Sequence, residues 1–174
     1  MTAGRTSTTK NKEWYTPSFF MYSVYSVMGE VSLDPCAAAG SSVEANTEFI
    51  LPTDGLVEDW SGYETIFVNP PYGRDKIRGT SIKDWLRKCH AAAGAGAEVI
   101  ALIPVAPNTS HWKEYVFPTC DSICFLKEPR FKFEGAGKKG APMAICAVYW
   151  GKRKDKFIEA FKTLGTCIEV INAS

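Results

Sequence analysis

The period of the apolar and polar positions changes several times along this chain, and each change marks an element. Over residues 17–28 the apolar side chains Phe20, Val24, Val27 and Met28 recur at helical spacing, with Thr16 or Pro17 at the start and Gly29 past the end. Residues 31–33 form a short apolar strand that runs into Asp34-Pro35. The small residues of 36–42 predict a turn that opens a helix, and 47–51 predict a second strand. Residues 64–68 (ETIFV) are a buried strand, stopped by Asn69-Pro70-Pro71-Tyr72-Gly73. The polar, basic stretch 74–79 predicts a mobile loop. Ser81 and Asp84 have capping-box spacing before a helix over 82–93, which Gly94 and Gly96 end. A strand over 97–103 follows, then a helix capped by Asn108 or Thr109 and running through Tyr115. Residues 122–126 and 144–150 read as an antiparallel pair flanking a basic loop, 127–142. A helix over 155–164 and a strand over 167–171 complete the chain. Strands alternating with helices and ending in paired strands predict an α/β fold: a mostly parallel central sheet, an antiparallel C-terminal pair, and helices on both faces. Residues 1–12, rich in Thr, Ser and Lys, predict a flexible arm, and 13–174 a single domain without internal repeats.

With 174 residues, 45% of them hydrophobic and 13% aromatic, the chain has material for one packed core and does not have the composition of a disordered one. Its longest apolar run, 99–106, is strand-sized and far short of the roughly 18 residues a membrane span needs. The first residues hold no apolar core of the secretory kind, so the expectation is a soluble, unexported protein. Six cysteines (Cys36, Cys89, Cys120, Cys124, Cys146, Cys167) include no CxxC pair, and only His90 and His111 could join them. They predict reduced, mostly buried thiols and no metal site. The net charge of +1 hides an asymmetry. Residues 30–64 carry eight acids and no Lys or Arg, whereas 66–174 carry 17 basic and 10 acidic residues. An acidic third suits a cationic or hydroxylated small ligand, and a basic remainder suits a polyanion.

Two turns carry the chemistry, Asp34-Pro35 and Asn69-Pro70-Pro71-Tyr72, and both fall at strand carboxyl ends, where open α/β sheets bind ligands. Consecutive prolines fix φ and remove two backbone donors, so the chain is stiff there and its carbonyls stay available. The Asn69 amide oxygen and the Pro70 carbonyl make two acceptors suited to the two hydrogens of an amino group. Such a grip tilts the nitrogen towards sp³ and aims its lone pair at an electrophile. Pro71 stiffens the turn, and Tyr72 supplies a flat face for a planar ring bearing that amine. No strong base is required, because the amine loses its proton after attack.

Asn-Pro-Pro-Tyr resembles the signature of S-adenosylmethionine-dependent methyltransferases that act on exocyclic amines and amides. Glu13-Trp14-Tyr15-Thr16-Pro17, Leu33-Asp34-Pro35-Cys36-Ala37, Asp54-Gly55-Leu56 with Trp60, residues 68–73, and Trp85 narrow the likeness. In that order, from about 13 to 151, they are similar to the small phage-encoded DNA adenine-N6 methyltransferases. The resemblance implies a Rossmann-like methyltransferase fold, S-adenosyl-L-methionine as cofactor, DNA as substrate, and a cytoplasmic location, that of the bacterial host if phage-encoded. It implies that Tyr15, Thr16 and Pro17 hold the cofactor's carboxylate, where a helix N-terminus also favours an anion. Asp34 would contact the methionine amine, with Pro35, Cys36 and Ala37 opening a close-approach loop to Gly40. Asp54 would lie near the cofactor's adenine amine, and Glu44 or Glu48 near the ribose; Asn69 borders the cofactor as well as the substrate. Residues 104–109 keep the proline and Asn108-Thr109 of relatives but lack an arginine that many carry there. Phe131 and Phe133 lie where relatives place an aromatic against the target base, and their alternation also fits a strand buried on one face.

An adenine amine inside a duplex is reached by extruding the base. The basic residues expected to anchor phosphates are Arg74, Lys76 and Arg78 after the motif, and Arg130, Lys132, Lys138 and Lys139 around Phe131 and Phe133. With no room for a separate target-recognition domain, base reading falls to loops 73–80 and 127–142, in a monomer or shared across a homodimer. A methyltransferase acting on protein glutamine or an RNA base would not need these basic loops, and glutamine-directed relatives carry a fuller glycine-rich first motif. A non-catalytic binder of DNA or a host protein would be marked by loss of Asn69, Tyr72 or Asp34, all of which are present. The predicted reaction is a direct in-line displacement whose rate comes mostly from positioning.

Overall fold

The structure is a computed structural model that describes residues 15–128, 131–133 and 140–171. Helix α1 (Ser18–Met28) buries the stripe the sequence periodicity marks, Phe20, Val24, Val27 and Met28, together with Met21. It stops at Gly29, whose φ of 81° suits a residue without Cβ and lets its N–H reach the Tyr25 carbonyl at 2.8 Å. The chain continues through β1 (Val31–Asp34), β2 (Ala45–Glu48), β3 (Thr65–Val68), α2 (Ile82–Gly94), β4 (Glu98–Pro104), β5 (Ser122–Leu126), β6 (Ile145–Trp150), α3 (Lys154–Phe161) and β7 (Gly165–Glu169). At the start of α2 the predicted capping box forms, the Ser81 N–H donating to the Asp84 carboxylate at 2.9 Å and the Ser81 side chain accepting from the Asp84 N–H.

Seven strands form one sheet in the order β2-β1-β3-β4-β6-β5-β7. The β1–β2, β1–β3 and β3–β4 pairings are parallel, while β6 runs antiparallel to both β4 and β5, and β7 antiparallel to β5. The first half is therefore the parallel sheet that the alternation of strands and helices predicts, and the β5–β6 pair is antiparallel as expected. Sheet growth reverses direction between β1 and β3, because β1 leads outward to β2 and the chain then crosses back. The crevice at that switch point is where such sheets take ligands.

Strand β4 joins two apolar clusters, and its residues from Val99 to Ile103 are all fully buried. Ile100 and Leu102 pack with Phe20 and Val24 of α1 and with Phe157 and Phe161 of α3. Val99, Ala101 and Ile103 pack with Trp85, Leu86 and Cys89 of α2 and with Trp112 and Trp150. Each large aliphatic side chain so buried contributes about 1.5–3 kcal/mol, enough to make this strand the rigid spine of the sheet. No helix among the described residues is long and apolar enough to cross a membrane.

Several elements differ from expectation. The second strand runs from Ala45 to Glu48, paired with β1; Phe49 N–H still bonds the Asp34 carbonyl at 2.9 Å, and its ring packs edge-on against Tyr63 at 6.3 Å. Residues 36–44 form turns and no helix: Ser41 N–H bonds the Ala38 carbonyl at 3.0 Å, and Gly40 sits at φ 82°. The segment after β4 is a π-helical turn, Trp112–Val116. The last helix is shorter than predicted, and the last strand keeps its five residues but begins two positions earlier, at Gly165. The loop expected to be mobile is ordered, since the Asp75 carboxylate accepts from the N–H groups of Ile77 at 2.9 Å and Arg78 at 3.0 Å, and Asp75 N–H bonds Thr80 at 2.9 Å.

Candidate active site

Asn69 follows the last residue of β3, and Asp34 is the last residue of the neighbouring β1, so the two suspicious turns meet at the switch point. Two side chains meet the Asn69 amide, and β4 holds one of them. Its Nδ2 donates to Thr16 Oγ1 at 3.1 Å, and the Tyr72 hydroxyl lies 3.3 Å from its Oδ1 and 3.1 Å from the Leu102 carbonyl of β4. A phenol has one proton to give, so Asn69 Oδ1 and the Leu102 carbonyl compete for it. Burial pushes the Tyr72 phenol well above its usual range, so it stays a neutral donor at any working pH. Thr16 is buried, and its hydroxyl points at Asn69 and caps no helix; the N-cap of α1 is Pro17, which offers no side-chain cap. Its backbone is held in turn, the Ser42 hydroxyl donating to the Thr16 carbonyl at 2.9 Å.

Asp34 is only 3% exposed. Burial raises its carboxyl from the ordinary range to about 7; the Cys36 N–H, donating to Oδ1 at 3.1 Å, pulls the other way, and the nearby Glu48 charge adds to the rise. No Lys or Arg among the described residues pairs with it. A buried carboxylate without a cation is costly, and it is stabilised by a ligand that brings one. The adjoining Cys36 thiol, with the Asn69 backbone N–H against it, is pushed well up, by burial first and by the Asp34 charge second. It is therefore no nucleophile.

A third loop closes on this pair. The Asp54 carboxylate accepts from Leu56 N–H at 3.0 Å, and the Gly55 carbonyl accepts from the Trp60 indole at 2.8 Å. A Cβ on Gly55 would stand 1.8 Å from the Pro35 carbonyl oxygen, so only glycine lets the two backbones touch. Gly55→Ala is expected to push the 54–60 loop off the Asp34-Pro35 turn and to cost about 1–3 kcal/mol, read as a lowered melting temperature. An unchanged melting temperature would contradict that packing.

A family model described as DNA N-6-adenine-methyltransferase (Dam) matches residues 4–149. The chain belongs to that family. No curated protein and no solved structure matches it. The matched span contains all the elements that meet at the switch point, whereas α3 and β7 lie beyond it and complete the cluster behind α1.

The other sequence-predicted residues fall into three groups. Tyr15 lies over the turn after β1, its hydroxyl donating to the Ala39 carbonyl at 3.0 Å; Pro17, Pro35 and Pro70 are buried, and Ala37 is half-buried. Pro71 is exposed. Phe131 and Phe133 are buried and lie outside any strand. Phe131 sits edge-on to Phe20 at 5.7 Å, in the core, and Phe133 edge-on to Tyr72 at 6.1 Å. Arg74, Lys76 and Lys132 are exposed, and Arg130, Lys138 and Lys139 lie outside the described residues, as do Glu13 and Trp14. Arg78 is not an open cation: it pairs with Asp75 at 2.8 Å and with Asp54 at 3.0 Å, tying the post-motif loop to the Asp54 loop. The contacts that sequence reasoning missed are Thr16 to Asn69 and Tyr72 to Leu102. Both are long-range, and no local pattern announces them.

Proposed function

We propose that this member of the family transfers a methyl group from S-adenosylmethionine to the N6 amine of a specific adenine in DNA. The base is flipped into a pocket at the ends of β1, β3 and β4, and the chain is of the small phage-encoded kind. The supporting observation is the Asn69 amide, anchored through Nδ2 to Thr16 and so turned to present Oδ1 as an acceptor. The two apolar clusters on alternate residues of β4 further fit a sheet covered by helices on both faces, the fold that the resemblance implies. Residues from 13 onward act as one catalytic domain, with loops 73–80 and 127–142 reading the target.

The donor set fits the cofactor. Asp34, buried and without a cation among the described residues, suits its ammonium group, and the N-terminal turn of α1 beside Thr16 and Pro17 suits its carboxylate. Asp54, held by Arg78 on the loop that touches the Asp34-Pro35 turn, is assigned to the adenosine end. When bound, S-adenosylmethionine supplies a methyl group activated by a sulfonium.

Asn69 Oδ1 and the Pro70 carbonyl each accept one hydrogen of the adenine amine, which draws its lone pair out of conjugation and points it towards the cofactor side. Tyr72 stays neutral and is steadied by Leu102 and by the edge of Phe133, so its ring is a fixed platform for the base. Positioning of this kind carries most of the rate, and the excess proton leaves to water after transfer.

Thr16 acts here as a positioning residue. Thr16→Val removes the hydroxyl that anchors Asn69 Nδ2 and is expected to lower the single-turnover rate about 10–100-fold, the order of one hydrogen bond lost at the site. Cofactor affinity should stay within about threefold, and Thr16→Ser should recover most of the rate. Affinity lost with the rate kept would instead place Thr16 on the cofactor's carboxylate. The function itself is tested by incubating the protein with labelled S-adenosylmethionine and unmethylated duplex DNA and identifying the labelled nucleoside. N6-methyladenine is expected. Label in RNA or in protein glutamine, with none in DNA, would overturn the reading.

A further inference from the structure

The loop that leaves the motif carries an apolar side chain with no role in the site described so far. Ile77 is 98% exposed, more than any other large hydrophobic residue among those described. A single exposed aliphatic is ordinary on a protein surface, but this one stands at the tip of a built support. Asp75 and Thr80 bridge the two sides of the loop, and the Asp75 carboxylate gathers the N–H groups of Ile77 and Arg78. Arg78 then clamps the base of the loop to Asp75 and, across the crevice, to Asp54. All of these contacts hold the tip outward, and none of them covers Ile77.

The flanks of the tip are cationic. Arg74 and Lys76 are exposed, and neither forms an ion pair among the described residues. A rigid tip with an apolar end and basic shoulders complements a polyanion that hides an apolar interior, which is the character of stacked bases between phosphate backbones. Ile77 lies five positions after Tyr72, a span of at most about 17 Å, the same order as the roughly 12 Å width of a major groove. One element therefore reaches both the base-holding motif and the duplex that the base leaves.

We propose that Ile77 is a wedge that enters the base stack of duplex DNA and fills the gap left by the extruded adenine, while Arg74 and Lys76 hold the flanking phosphates. This rests on the base-flipping reading of the motif and adds to it the group that opens the duplex. No bond is made or broken by Ile77. It lowers the cost of the open duplex, so its effect disappears when the target is already unpaired.

The test uses duplex oligonucleotides with a mapped target adenine, either paired with thymine or facing an abasic position, and measures N6-methyladenine formed by wild type, Ile77→Ala and Ile77→Leu. Because Ile77 is exposed, the variants should fold as wild type does. Ile77→Ala is expected to lose about tenfold or more on the paired target and less than about threefold on the orphan one, with Ile77→Leu restoring the paired rate. A loss below about twofold on the paired target, equal losses on both, or a wild type inactive on the orphan adenine would overturn the wedge. A wild type that methylates neither duplex nor any other DNA would overturn the functional reading, and the wedge with it. A wild type active on DNA alongside an unimpaired Ile77→Ala removes the wedge alone.

Discussion

Replacing Asn69 by alanine is expected to lower methyl transfer by about 10²–10³-fold or more, the size of effect seen when one preorganised polar group at a reacting centre is removed. The reason is geometric. Asn69 follows the fully buried β3, and Thr16 fixes the turn of its amide from one side. Its oxygen is thus placed before any substrate arrives, and alanine leaves the Pro70 carbonyl to hold the amine by itself. Cofactor affinity should be largely spared, because Asp34 and the start of α1 are untouched by the change. Single-turnover rates and equilibrium cofactor binding, measured on the same preparation, separate the two. An affinity that collapses with the rate would move Asn69 from the substrate to the cofactor.

The second large effect concerns Asp34 and couples binding to stability. Asp34→Asn keeps the shape and an acceptor for the Cys36 N–H but removes the charge. The loss of one partner from a buried charge pair costs about 2–5 kcal/mol, so affinity for S-adenosylmethionine should fall at least about thirtyfold. The cofactor-free protein should respond in the opposite sense. In the native chain the Asp34 carboxyl keeps its proton up to about pH 7, whereas the unfolded chain releases it near 3.8. Between those values the native state binds more protons, so this group lowers stability as pH rises through the window, by about 4 kcal/mol in full above it. Asp34→Asn should therefore melt higher than wild type at pH 8 without cofactor, and the difference should vanish towards pH 4. Wild-type cofactor affinity should fall as pH drops below about 7, since the ammonium needs the ionised carboxylate. A variant that is destabilised at pH 8 would mean that Asp34 already has a structural cation.

Much of this architecture is legible because it is written in local patterns. The helical stripe of α1, the uninterrupted apolar runs of β3 and β4, and the Asp84 cap of α2 are each set by neighbours a few positions apart. Asn69-Pro70-Pro71-Tyr72 is legible for the same reason, since proline stiffness and strand termination are properties of adjacent residues. What local pattern misses is set by partners far along the chain. The edge strand β2 has polar residues on its open side, so hydropathy places it two residues late. The order that inserts β6 between β4 and β5 follows from six long-range pairs with β4, and no short motif encodes it. The Thr16–Asn69 bond spans 53 residues and the Gly55–Pro35 contact joins two separate loops, so both show only when the chain is folded. The post-motif loop looked mobile because it is polar and basic. The same polarity orders it, through Asp75 and Arg78.

In the proposed reaction the amide of Asn69 holds an adenine amine of DNA for methylation. Nucleoside analysis of DNA treated with wild type and with Asn69→Ala, using labelled S-adenosylmethionine, tests it most directly. Wild type is expected to form N6-methyladenine and the variant to lose it, with cofactor binding retained. N6-methyladenine formed at the wild-type rate by Asn69→Ala would contradict it.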